Sequence, residues 1–486
     1  MVASEINTGK SYDRLDWQGG YLSQPNEYNY SVENIEGEIP PELEGTLFRN
    51  GPGLLDIGGV SIRHPFDGDG MVSAITFQGG RVHYQNRFVG TEGYLQEKAE
   101  GKAMYRGVFG TQKPGGWLSN IFDTKLKNIA NTNIIYWGGK LLALWEAASP
   151  YRLNPATLET IGLDDLDGIL DTNEAFSAHP RIDPDPLTLV NFALKPGLST
   201  KINLYEIDPS GKLTRRHSHT VPGFSFIHDF AITPNYAIFF QNPVSFNPFP
   251  FLLGLRGAGE CVQYQPGQPT KIILIGRDGS RDSMKILETP SGFVFHHANA
   301  FETPDGKIVI DSVCYENLPQ VEPEIDYKDV DFDKLSPGQL WRFRVDLTAS
   351  KVERELLEGR CCEFPTLNPE KVGRDYRYLY IGAAHDQTGN APLQAVLKID
   401  LETGSRQLHS FAPKGYISEP LFVPRAGSHD EDDGWVLLLV YDAKYHRSDV
   451  VILDAKNIEG KPVAIVHLDH HIPYGLHGSW TPQVFL

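Results

Sequence analysis

Four of the 16 histidines stand in phrases that set them apart: His179 in SAHPRID, His228 in FSFIHDF, His296 in FVFHHANAF and His477 in PYGLHGSW. No two lie close enough in sequence to make a local metal motif, so they can meet only if a whole fold carries them to one point. An all-imidazole site would suit iron, copper, nickel or zinc and would bring no negative charge of its own. A different cluster lies near the C-terminus. There His467-Leu468-Asp469 has the His-x-Asp spacing of a two-histidine, one-carboxylate triad, with His470 and His471 adjacent. That segment alternates as a strand does, which sends several of these groups to opposite faces. The HExxH, GxSxG, Walker A and Rossmann fingerprints are missing. The Gly-rich HPFDGDGMV (residues 64–72) is not followed by a βαβ pattern and reads as a tight turn that positions Phe66 and Asp67.

The elements that would have to position these histidines are short β-branched and aromatic runs closed by turn residues. RVHYQNRFV, TLVNFAL, INLYEID, YAIFFQ and TKIILIG come first, and KIVIDSV, LWRFRV, RYLYIGA, AVLKIDL, WVLLLVY and SDVVILD follow. Their turns, such as DPSGK at 208–212 and TPDGK at 303–307, carry the expected Asp, Pro, Ser and Gly. Many short strands at this rhythm predict an all-β sandwich, barrel or propeller, with no strict internal repeat to choose among them. The strongest helical candidate is residues 116–131, where Trp117, Leu118, Ile121, Phe122, Leu126 and Ile129 fall near one face.

No linker, low-complexity tract or charge block divides the 486 residues, so one domain over 1–486 is expected. A net charge of −18 argues against nucleic acid and against a purely electrostatic hold on anionic membranes. The four cysteines form no CxxC pair, and Cys361–Cys362 reads as packing beside Glu363. The polar N-terminus and apolar runs far short of ~20 residues predict a cytoplasmic protein with no bilayer span.

The four histidine phrases, together with EIPPELEGTLFRNGPG (38–53), HPFDGDGMV, LLALWE, CCEFP and SEPLFVPR, resemble the carotenoid cleavage oxygenases in order and over nearly the whole chain. These are iron(II) enzymes that split a polyene double bond with dioxygen. The stretch YRGVFGTQKPGGWL and the NIANTN that follows it look most like the members that cut apocarotenals. The resemblance implies a seven-bladed β-propeller with one Fe2+ on its axis and O2 as co-substrate. It implies His179, His228, His296 and His477 as metal ligands, with His297 outside the set, and Glu146, Glu363 and Glu419 behind them. Taken alone, each glutamate could equally be a surface carboxylate. Phe66, Phe109, Trp145, Phe295, Tyr315 and Leu393 match substrate-tunnel positions, and Thr132 matches a residue whose methyl group blocks one metal position.

The reaction so implied is cleavage of β-apocarotenals at the 15,15' bond to give retinal and a shorter dialdehyde. The alternatives are cleavage of another double bond of a carotenoid or stilbene, and a non-catalytic carotenoid-binding propeller. An apolar polyene would have to be collected from a membrane, so residues 116–131 and 245–257 are expected to form an apolar patch for peripheral membrane contact. No protein partner is indicated.

Overall fold

Among the described residues the short β-branched and aromatic runs pair into seven antiparallel sheets of four or more strands, each built largely from consecutive strands of the chain. The structure, a computed structural model, describes residues 10–172, 174–280, 284–320 and 325–486. Sheets that follow one another in sequence and pack face to face around a common axis make a seven-bladed β-propeller. The expected strands form where the sequence placed them. TLVNFAL lies in Leu187–Lys195, paired residue by residue with Ser199–Ile207, and WVLLLVY lies in Gly434–Asp442, paired with Arg447–Asp454.

The hydrophobic core is distributed between blades. One cluster joins Ile238, Phe240 and Leu274 of one blade to Ile308, Ile310 and Phe343 of the next. Another joins Leu47, Ile75 and Tyr84 near the start of the chain to Trp435, Val450 and Val466 near its end. The ring is closed twice. Gly478–Thr481 pairs with Thr46–Arg49 in the first blade, while Ile35–Gly37 pairs with the strand at Ala464–His467 in the last.

Residues 116–131 differ from the helix expected there, since only Trp117–Asn120 is helical. The physical reason lies at its ends. Gly116 has φ +73°, Phe122 φ +57° and Ala130 φ +45°, and the Phe122 N–H donates to the Leu252 carbonyl of a neighbouring segment instead of continuing a helix. The apolar stripe is accordingly split, with Ile129 buried and Trp117, Leu118 and Phe122 exposed.

Candidate metal centre and substrate cavity

The histidines reach the axis because each ligand segment lies in or just ahead of the leading strand of a blade. His179 precedes Arg181–Pro184, His228 precedes Ala231–Ile232, His296 lies within Phe293–Glu302, and His477 precedes Gly478–Thr481. A β-bulge at Phe295–His296 breaks the register between Val294 and His297 and re-aims the ring. It settles the choice within the HH pair. His296 joins the cluster, whereas His297 is buried against Ser312, whose hydroxyl stands 2.7 Å from its Nδ1.

The ligand atoms of His179, His228, His296 and His477 all lie within 4.8 Å of one another. His179 Nε2 and His228 Nε2 are 2.9 Å apart. Three rings are fixed from behind at Nδ1: His228 by Glu146 at 2.8 Å, His296 by Glu363 at 2.6 Å and His477 by Glu419 at 2.8 Å. A carboxylate that accepts a hydrogen bond from Nδ1–H fixes the ring proton there and leaves the lone pair on Nε2. His296 Nε2 is buried and has no hydrogen-bond partner among the described residues. Converging lone pairs of this kind repel one another unless a cation lies among them.

The charges agree. Three carboxylates face one guanidinium, Arg49, which holds Glu419 at 2.7 Å, and the two negative charges left over match a divalent ion. Burial, then the three neighbouring rings, drives His179 well below 6.5, and burial also keeps His477 low despite Glu419. At His296 burial pushes downward, but the Glu363 carboxylate outweighs it and the shift is upward. His296 is thus the ring that favours a proton; a divalent ion would take the place of that proton, and four imidazole donors suit a borderline metal.

Glu363 also accepts from the Tyr315 hydroxyl at 2.9 Å and sits on a second bulge. The inserted residue there, Phe364, has φ +58° and packs on His296 and His477 with ring centroids 5.5 and 5.4 Å away. Neither bulge carries a sequence signal, since the inserted residues are aromatic or histidine where glycine would have marked the turn. Thr132 is buried next to the centre, its carbonyl accepting the His477 N–H.

Two cavities meet near this centre. One, of ≈ 100 Å³, runs past Phe66, Phe109, Phe226 and Phe295 to His228 and Glu146. The other, of ≈ 360 Å³, is lined by Tyr315, Phe364, Leu393, Tyr416 and Tyr474 and shares Phe66 with the first. Of the substrate positions expected from sequence, Phe66, Phe109, Phe295, Tyr315 and Leu393 line one or both; Trp145, buried beside Glu146, lines neither. Asp67 supports the wall from behind, accepting the backbone N–H groups of Phe109 and Thr111. The alternative residues do not gather into a metal-ligating group among the described residues. His467 is held by Asp449 at 2.7 Å and Glu36 at 3.1 Å, away from the four axial rings. Cys361 and Cys362 are buried free thiols beside Glu363.

A propeller with four imidazoles on its axis and three carboxylates behind them defines a class of metal-dependent oxygenases. Residues 21–482 match the model of the retinal pigment epithelial membrane protein family, and the chain belongs to that family of carotenoid cleavage oxygenases. It is 58% identical over 479 residues to the apocarotenoid-15,15'-oxygenase of Synechocystis, covering 97% of each chain. Isoeugenol monooxygenase of Pseudomonas nitroreducens is 32% identical, with 92% of this chain and 94% of that one covered. The crystal structure of the cobalt-substituted Synechocystis enzyme superposes with a TM-score of 0.95, covering 97% of this chain and 99% of that one.

Proposed function

We propose that this protein is an iron(II)-dependent oxygenase that cuts the 15,15' double bond of β-apocarotenals with O2, giving retinal and a shorter dialdehyde. The observation that carries the reading is the convergence of four imidazoles, one with an unpartnered Nε2, beside an aromatic cavity in a chain 58% identical to apocarotenoid-15,15'-oxygenase. His179, His228, His296 and His477 would hold one Fe2+, and Glu146, Glu363 and Glu419 would fix the rings that carry it. Iron(II) supplies dioxygen activation when bound. Everything else falls to the chain. Phe66, Phe109 and Phe295 exclude water and present ring faces that stabilise positive charge developing on the polyene. Thr132, against His477, limits with its methyl group what can bind beside the metal.

The polyene reaches the cavity from a lipid surface. Trp117, Leu118 and Phe122 of the 116–131 segment and Phe249, Leu253 and Leu255 of the 245–257 segment are exposed. The two segments are tied together by the Phe122–Leu252 backbone bond. Exposed apolar residues grouped in this way mark an interaction surface, and the acidic chain favours neutral over anionic lipid. No helix among the described residues is long and apolar enough to cross a membrane. The setting is a cytoplasmic enzyme that visits the membrane surface.

Iron-loaded protein in detergent, incubated with β-apo-8'-carotenal in air and under argon, tests the reaction by chromatography and mass spectrometry. Retinal in air alone is the expected result. Aldehydes of other lengths would move the cleavage position, and no product from iron-replete protein would overturn the reading.

A further inference from the structure

A third cavity, of ≈ 190 Å³, reaches the imidazole cluster, and its walls are polar. His179, His296 and His477 line it, whereas His228 lines the aromatic cavity. It has no residue in common with that aromatic cavity and only Phe364 in common with the cavity at Leu393. The ligands therefore border two separate spaces, one aromatic and one polar. Away from the buried imidazoles the polar walls are Arg181, Thr366 and Leu421, all half-buried, and the exposed Ile182 follows Arg181 in the chain.

The charges of this cavity cancel in pairs. Asp229, whose side chain is 1% exposed, holds Arg181 at 2.5 Å. The same guanidinium donates to the Phe230 and His297 carbonyls at 2.8 Å, so it is pinned in place. Glu419 is matched by Arg49. No other Lys, Arg, Asp or Glu among the described residues lines the cavity. Polar walls of this kind solvate a cation yet give it no uncompensated carboxylate to stop at, and an ion passes only where binding on the way is weak. The uncompensated donors are the imidazoles themselves, among them His296 Nε2. The aromatic cavity offers the opposite surroundings. Its walls of Phe66, Phe109, Phe226 and Phe295 replace little of an ion's hydration shell, and stripping a cation there is costly.

We propose that the polar cavity is the route by which the divalent ion enters and leaves the centre, separate from the route of the polyene. This rests on the reading of the four imidazoles as a metal site. With the routes divided, a polyene seated in the aromatic cavity does not bar the ion, and loading of the ion does not wet the aromatic walls.

Bulk added to one wall or the other tests the division. Thr366→Trp and Leu421→Trp fill the polar cavity from two different strands, Cys362–Thr366 and Leu421–Pro424. Leu318→Trp narrows the aromatic cavity instead. Metal-free protein is mixed with Co2+ and uptake is followed by the visible absorption of the bound ion; release is followed after excess chelator is added. Both polar-cavity variants are expected to load and to release Co2+ about tenfold more slowly than wild type. The dissociation constant stays unchanged, because an obstacle in a route raises the barrier and not the end states. That unchanged constant also shows that the centre has formed, and if one of the two variants fails to fold the other decides. Leu318→Trp keeps both wild-type rates. Wild-type rates in the polar-cavity variants, slowing by Leu318→Trp, or weaker binding at an unchanged loading rate would each overturn the proposal and leave the proposed reaction standing. Failure of the wild type to take up Co2+ at all would overturn the metal centre itself, and the route with it.

Discussion

Glu419 differs from the other two carboxylates behind the metal centre in holding a guanidinium as well as a ring. One oxygen holds His477 Nδ1; the other takes Arg49 and the Gly478 N–H at 3.0 Å. Glu419→Ala should therefore weaken iron binding roughly 10- to 100-fold, as read by competition with a chelator. It also strands Arg49, whose side chain is 4% exposed, and should cost about 3–5 kcal/mol of stability in denaturant unfolding. Asp469→Ala, by contrast, should leave iron content unchanged, because His467 is already spoken for by Asp449 and Glu36. His64 gives a pH dependence. Its pKa is about 4 in the folded chain, against an ordinary value of 6.5. Above pH 6.5 both states are neutral and the residue contributes no pH dependence. As pH falls from 6.5 toward 4 the unfolded chain takes up the proton first, and up to about 3 kcal/mol of stability is lost. Urea midpoints at pH 7 and pH 5 should show a smaller drop for His64→Asn than for wild type.

At the scale of elements, the exposed apolar surface depends on a residue with no apolar character to advertise it. Arg106 is fully buried and donates to the carbonyls of Asn120, Asp123, Phe251 and Arg256, with its guanidinium 4.2 Å above the Phe251 ring. Four carbonyls from two distant segments converge on one side chain, which is why residues 117–126 can leave helical geometry without stranding their backbone. Arg106→Leu should expose this region to limited proteolysis between residues 107 and 125, while iron content stays at the wild-type level. Changing Phe122 and Phe249 to Ser leaves the clamp intact and should reduce co-sedimentation with neutral liposomes; unchanged partition would refute the docking surface. The bulges at His296 and Phe364 belong to the same scale. Each inserts a residue into a ladder so that a side chain turns toward the axis.

For the whole molecule, closure of the ring and assembly of the metal centre are one event. Gly478–Thr481 completes the first blade immediately after His477, and Phe485 packs on Phe48 and Tyr136. Removal of residues 478–486 would keep all four ligands in the chain yet release His477 from its fixed position. Thermal stability and iron content should fall together in that variant, and retention of either would separate closure from metal binding. Bound iron should in turn raise the Tm of the intact chain, since a ligand held only by the closed ring stabilises it by mass action.

The sequence by itself determined the strands, because β-branched and aromatic runs closed by turn residues are local properties; WVLLLVY and TLVNFAL, short and buried along nearly their whole length, are examples. It also carried the ligand histidines and their glutamates, though only through the phrases around them, since spacing alone cannot distinguish four histidines among 16. Helicity over 116–131 was misread for the complementary reason. Its apolar periodicity is real, but the backbone there answers to Arg106 and Leu252, which no window of sequence contains. Tertiary structure supplied what the resemblance only implied, the bulge that turns His296 and not His297 to the axis, and it decided that Trp145 is buried and lines neither cavity. Each of these depends on a one-residue slip or on contacts across blades, where a side chain's direction is set by the partner strand and not by its own neighbours.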